Sequence, residues 1–167
     1  ISSSLSTASV LGYLKASPDG TRIADAKMFS SLELFDFNPA SGMVSNKKTI
    51  MTYPTMFNYG VEFSPDSKIL YTTCSRDNFP FTSVYYNYIF QFSKLDSSVS
   101  VIQSTLTRVD SAIANVFSLF SALQLAPDGK IYVSIINSTM LPVVNNPNLA
   151  GAACQYSRSG ALLMTGS

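Results

Sequence analysis

Gly60-Val-Glu-Phe-Ser-Pro-Asp-Ser-Lys-Ile-Leu-Tyr71 decides the architecture, because the same pattern stands at two other places in the chain. One variant is Gly12-Tyr-Leu-Lys-Ala-Ser-Pro-Asp-Gly-Thr-Arg-Ile-Ala24 and the other is Ala122-Leu-Gln-Leu-Ala-Pro-Asp-Gly-Lys-Ile-Tyr-Val133. Each reads as an apolar strand, a tight turn and a second apolar strand. Proline presets φ at the first central turn position, aspartate caps the turn with its side chain, and glycine accepts a positive φ. Internal repetition of this kind is the sequence mark of a repeat architecture.

Two further strands follow each hairpin. In the first unit they are Leu32 to Phe37 and Met43 to Met51, joined by the turn Asn38 to Gly42. The second unit offers Tyr88 to Ser93 and Val99 to Leu106, and the third Leu141 to Val144 and a weak strand near Ala153 to Tyr156. Between Val109 and Ser121 a helix competes with a strand. Val109, Ile113, Val116, Phe117 and Phe120 fall at three- and four-residue steps, with Asp110 as a candidate cap.

Four antiparallel strands per unit, repeated at this spacing, predict an all-β chain of β-propeller blades. Pro18, Pro65 and Pro127 stand 47 and then 62 residues apart. The expected blades are about 11–53, 59–108 and 121–157. Propellers close with about four to eight blades, so three make an incomplete propeller with two open blade faces. Further blades, a second copy or a partner should cover them. A chain beginning Ile1-Ser-Ser-Ser and ending Met164-Thr-Gly-Ser reads as a section of something larger, or as a processed chain.

Composition narrows the function. Charged residues make up 13% of the 167, against about 25% in an ordinary domain, and the net charge is +1. With no basic run, nothing favours nucleic acid or an anionic membrane. No apolar run approaches the roughly 20 residues of a membrane-spanning helix. The chain contains no histidine, so these residues cannot supply a Ser-His-Asp triad, a Cys-His pair or a histidine zinc site. Two cysteines, Cys74 and Cys154, make neither a disulfide framework nor a metal motif. They read as buried thiols, with a single disulfide as the alternative. No cofactor is expected.

The order of motifs carries a resemblance. The three Pro-Asp stretches, Leu32-Glu-Leu-Phe-Asp-Phe-Asn38, Ser41-Gly-Met-Val-Ser-Asn46 and Ile89-Phe-Gln-Phe92 follow one another along Leu11 to Tyr156. This order resembles the WD40-like propeller region of large secreted Bacteroidota proteins, many of which end in a gliding-motility-associated, type IX secretion sorting domain. The resemblance implies export and an extracellular or outer-surface location. It implies no catalytic residues.

Two candidate sites follow. Lys15, Glu62 and Gln124 each stand three residues before a turn proline, between apolar neighbours. Innermost strands line a propeller's channel, so these three would form a polar ring offering ligand contacts, or pair between blades because unpaired buried charge is costly. The second site is the face opposite the Pro-Asp turns. The aromatic insert from Arg76 to Tyr86 falls there, with Arg76, Asp77, Phe79, Phe81, Tyr85 and Tyr86 as candidate contacts for protein or glycan. Met28, Phe29, Tyr53, Met56, Phe57 and Tyr59 belong to the same face, with Phe117 and Phe120 as further contributors. The bland alternative is that these rings pack on one another. The oxygen side chains of Asp36, Asn38 and Ser41 are too few in carboxylates for a dedicated calcium site and read as a hairpin turn. No metal site is expected.

The leading functional reading is a non-catalytic binding or scaffold propeller, secreted or surface-attached. Two alternatives stand beside it. One is a propeller hydrolase or lyase sharing its site with blades outside this chain, for which Glu62, Asp77 and Lys15 would be the groups to test. The other is a component or client of a secretion or surface assembly.

Overall fold

In a computed structural model the chain forms three four-stranded antiparallel sheets, ordered β1-β2-β3-β4, β5-β6-β7-β8 and β9-β10-β11-β12. The structure describes residues 11–28, 30–52, 56–77, 85–114 and 118–163, and the side chains of 56, 57, 77 and 114 lie outside that description. The first sheet is β1 (Gly12–Ala16), β2 (Arg22–Lys27), β3 (Ser31–Asn38) and β4 (Met43–Thr52). The second is β5 (Met56–Phe63), β6 (Leu70–Asp77), β7 (Tyr85–Phe92) and β8 (Thr107–Ala114). The third is β9 (Phe120–Leu125), β10 (Ile131–Ile135), β11 (Met140–Val144) and β12 (Tyr156–Leu162). β5 packs against β1 on one side and β9 on the other, so the first strands of the three sheets gather at a common axis. This is an incomplete β-propeller, an arc of three blades.

The Pro-Asp turns work through the same bonds in each blade. Asp19 Oδ1 accepts from the Thr21 amide, Asp66 Oδ1 from the Lys68 amide and Asp128 Oδ1 from the Lys130 amide. The following position is left-handed each time: Gly20 at φ 69°, Ser67 at φ 62° and Gly129 at φ 77°. Serine carries a steric penalty there. Its compensation is a bond between blades, since Ser67 Oγ accepts from the Asp19 amide at 3.0 Å.

Strand alternation builds two cores rather than one. Between blades 1 and 2 lie Ala24, Leu32, Leu34 and Ile50, packed against Phe63, Leu70, Cys74 and Phe92. Between blades 2 and 3 lie Tyr71 and Ile89, packed against Leu123, Ile131, Val133 and Val144. β6 therefore sends Leu70 and Cys74 one way and Tyr71 the other. Blade 2 is buried on both faces, which is why its strands read as near-continuous apolar runs. Cys74 and Cys154 are buried thiols in different cores, with no disulfide between them. Burial pushes the Cys74 thiol up to about 12.

Residues 99–114 reverse the sequence-based assignment. A fourth strand was expected over 99–106, but Val99–Ser104 is a short helix, α1, and the strand is β8. α1 plugs the seam with Ile102, fully buried between blades 1 and 2. The Thr105 hydroxyl closes the helix by bonding the Ile102 carbonyl at 2.6 Å, and it accepts from the Ser93 amide at 2.9 Å. The helix weighed for 109–121 is displaced by β8 and β9. β8 carries a bulge: Phe90 pairs Arg108 and Ile89 pairs Asp110, leaving Val109 as an extra residue. Val109 and Ala112, three apart, consequently pack against the same core. The sequence pattern instead joined Val109 to Ile113, which the structure leaves 71% exposed.

The last strand also lies later than expected. Gly151–Cys154 is a 3-10 turn, Gln155 is left-handed at φ 51°, and β12 follows. Phe120, expected on the outer loop face, is 5% exposed within the second core. Phe29, Tyr53 and Phe117 lie outside the described residues.

Candidate functional site

The shared register of β1, β5 and β9 brings Lys15, Glu62 and Gln124 together. Lys15 Nζ donates to Glu62 Oε2 at 2.9 Å and to Gln124 Oε1 at 2.8 Å. Glu62 Oε1 accepts from its neighbour's amide, Phe63, at 3.0 Å, and Oε2 accepts from the Leu125 amide of blade 3 at 2.9 Å. Gln124 Nε2 is occupied by the Leu125 carbonyl at 2.8 Å. One carboxylate thus ties all three blades at the axis. The Glu62 side chain is 5% exposed and Lys15 18%. Two of the three ammonium donors and both carboxylate oxygens are committed, so the cluster reads as a fastening more than as a free acid or base.

The aromatic site is laid out by β6, β7 and β8. Arg76 pairs Tyr86, and Tyr86 pairs Ile113, so these three side chains share one face of blade 2 in a single cross-strand row. Arg76 is exposed, Tyr86 half-buried and Ile113 71% exposed. Below them on β7, Tyr88 and Phe90 stack with centroids 5.3 Å apart, and both pack against the first core. Asp77 pairs Tyr85, which pairs Ala114, in the next row on the opposite face. Phe79 and Phe81 lie outside the described residues, as does the Asp77 side chain. Tyr59 meets Tyr13 edge-on at 5.4 Å, so this ring packs within the arc.

Three polar groupings were not anticipated. On the blade 1 face turned away from blade 2, Glu33 Oε2 accepts from Lys27 Nζ at 2.7 Å, while Glu33 Oε1 lies 2.8 Å from Lys47 Nζ and Asp25 stands 3.7 Å from Lys27. Burial works to raise the Glu33 carboxyl, but the bonds from Lys27, Lys47 and Ser31 outweigh it and hold the group below its ordinary value. Burial raises Asp25. The alternation of Asp25 with Lys27 on β2 was the available signal; their convergence on Glu33 needed the sheet. The second grouping crosses blades 2 and 3. Gln91 Nε2 donates to the Tyr71 hydroxyl at 3.2 Å, which donates to the Pro147 carbonyl at 3.0 Å, and Gln91 Oε1 accepts from the Gly151 amide. The third is Asn58, fully buried with neither amide atom partnered by protein groups. Buried amides of this kind are ordinarily satisfied by water.

The loop read as a hairpin is one. Asn38 Oδ1 accepts from the Ala40 and Ser41 amides, and Asp36 Oδ2 accepts from Asn46 Nδ2. Among the described residues no group of three His, Cys, Asp or Glu side chains is placed to hold a metal, and no helix is long and apolar enough to cross a membrane.

No family model matches the chain, and no curated protein matches it. Solved structures do. The PQQ domain of pyranose dehydrogenase from Coprinopsis cinerea superposes at a TM-score of 0.54 with 8% identity, over 82% of this chain and 34% of that one. A structure titled as a 6-phosphogluconolactonase from Bacteroides fragilis gives 0.49 with 16% identity, over 78% and 33%. A dipeptidyl aminopeptidase IV structure from Bacteroides ovatus gives 0.48 with 11% identity, over 82% and 23%. The chain therefore spans about a third or less of the length of these structures. At 8% identity the first of these likenesses shows the fold alone.

Proposed function

We propose that this chain is the three-blade part of a non-catalytic, exported propeller that binds a protein partner at the outer end of blade 2. One observation carries the reading: the row Arg76, Tyr86, Ile113, in which Tyr86 stands between an exposed arginine and an isoleucine held 71% exposed. Arginine and tyrosine are among the residues enriched at protein contact hot spots, and an exposed aliphatic side chain suits a protein better than a sugar ring. The commitment of Lys15, Glu62 and Gln124 to one another supports a binding role over a catalytic one. The motif order supports an extracellular or outer-surface location and a Bacteroidota type IX export route. The same reading has the open faces of blades 1 and 3 covered by further blades or a second copy.

The test is a photo-crosslinking amino acid placed at Ile113, with the same group at Ser41 on the opposite end as control. A discrete protein adduct at 113, absent at 41 and lost on adding Arg76→Ala with Tyr86→Ala, is the expected result. Adducts of equal yield at both positions would overturn it. So would hydrolysis of a lactone, ester or glycoside that disappears in Glu62→Gln.

A further inference from the structure

On the Pro-Asp turn side, a cavity of about 360 Å³ opens between blades 1 and 2. Arg22, Lys68 and Lys94 line it with Asp96, and Leu95 supplies apolar wall. The Arg22 guanidinium donates through Nη2 to Asp96 and through Nη1 to the Ser67 carbonyl at 3.4 Å. Its side chain is 12% exposed, whereas that of Asp96 is 86% exposed. A sheltered guanidinium therefore holds a carboxylate that reaches in from solvent.

The fold does not require arginine here. Ser17 N–H bonds the Arg22 carbonyl and Ser64 N–H bonds the Ile69 carbonyl, closing equivalent turns in blades 1 and 2. Arg22 and Ile69 are thus the same position in successive blades, and Ile69 is 4% exposed in the second core. In that next seam the loop after β11 sits against the turn, with the Asp66 amide on Asn148 Oδ1 and the Tyr71 hydroxyl on the Pro147 carbonyl. Blade 1 has exchanged a sealing isoleucine for a cation, and its seam is open.

We infer that this cavity binds the carboxylate of a short aliphatic ligand, with Arg22 as the recognising group and Asp96 as a tethered occupant that the ligand displaces. Arginine's planar fork matches a carboxylate through two parallel bonds, and the two lysines offer further charge at the wall. Nearby carboxylates do not compete equally. Asp66 Oδ1 is held by Ser64 and the Lys68 amide, Asp19 Oδ1 by Ser17 and Thr21, and Asp19 Oδ2 stands 3.9 Å from Arg22. With three carboxylates near three cations, recognition rests on local geometry rather than on long-range attraction. The inference is independent of the protein-binding row on blade 2.

Titration of the full chain with succinate, by calorimetry or amide chemical shifts, tests it. Asp96→Asn removes the internal competitor and should tighten succinate binding about fivefold, the worth of an exposed ion pair. Arg22→Ile copies the residue of the next blade and should abolish binding while keeping the thermal midpoint. If Arg22→Ile fails to fold, Lys68→Ala with Lys94→Ala takes its place and should weaken binding. Unaltered affinity in Asp96→Asn, retained binding in Arg22→Ile or in the lysine pair, or inorganic phosphate binding as tightly as succinate would each overturn the inference.

Discussion

At Gly60 the first strand of blade 2 passes so close to blade 3 that a Cβ would stand 2.3 Å from the Ser121 carbonyl oxygen and 2.7 Å from Thr73 Oγ1. Neither atom can retreat easily. Thr73 Oγ1 accepts from the Gly60 amide at 2.8 Å and donates to that same Ser121 carbonyl at 2.6 Å. Gly60→Ala should therefore cost about 1–3 kcal/mol or more, read as a lower midpoint in urea. Glu33 makes the second residue-level prediction. Its folded value lies below the ordinary 4.5, so it adds stability above that pH and loses it as pH falls further. Asp25, raised by burial, works in the opposite sense. Stability measured from pH 6 downward should fall below about 4.5, and Glu33→Gln should flatten that part of the profile. A wild-type profile that matches Glu33→Gln would show that the bonds from Lys27 and Lys47 add nothing.

At the scale of elements, α1 and β8 show how packing overrides local pattern. Six residues make a helix too short to stand alone, and the Ser98 side chain makes no capping bond to the α1 backbone. It persists because Ile102 fills the seam between blades 1 and 2 and Thr105 fastens its end to Ser93. Ile102→Ala should cost about 2–5 kcal/mol, whereas Val101→Ala, at a position 37% exposed, should cost far less. Equal losses in thermal or urea melts would mean that the helix is held by propensity and not by its plug. The hairpins were legible because turn chemistry is local: proline, aspartate and glycine act within four residues. The bulge at Val109 was not, because it is defined by which residue of β7 each residue of β8 faces.

At the scale of the whole molecule, the arc is fastened at its axis by one carboxylate shared among three blades. A double-mutant cycle on Lys15→Met and Glu62→Gln should return a coupling of about 0.5–3 kcal/mol. Additive effects would reduce the axial contact to coincidence. By comparison, Arg158 Nη2 and Asp110 Oδ1 lie 2.7 Å apart at the outer edge of blades 2 and 3, but Arg158 is 57% exposed. Arg158→Ala should change stability by less than about 1 kcal/mol.

The sequence alone determined the repeat, the strand number of the first blade, the turn positions and the alignment of Lys15, Glu62 and Gln124. Each of these follows from local backbone preference or from counting outward from a repeated turn, and neither needs a partner strand. Tertiary structure decided the rest. It chose helix for 99–104 and strand for 107–114, turned Phe120 inward, gathered Lys27 and Lys47 on Glu33, and set exposed Ile113 beside Tyr86. It also left Arg22 over an open seam where Ile69 closes the next one. All of these depend on which blade face meets another, and burial is a property of neighbours in space. The Pro-Asp stretch counts the blades; what the seams between them hold is settled only when they pack.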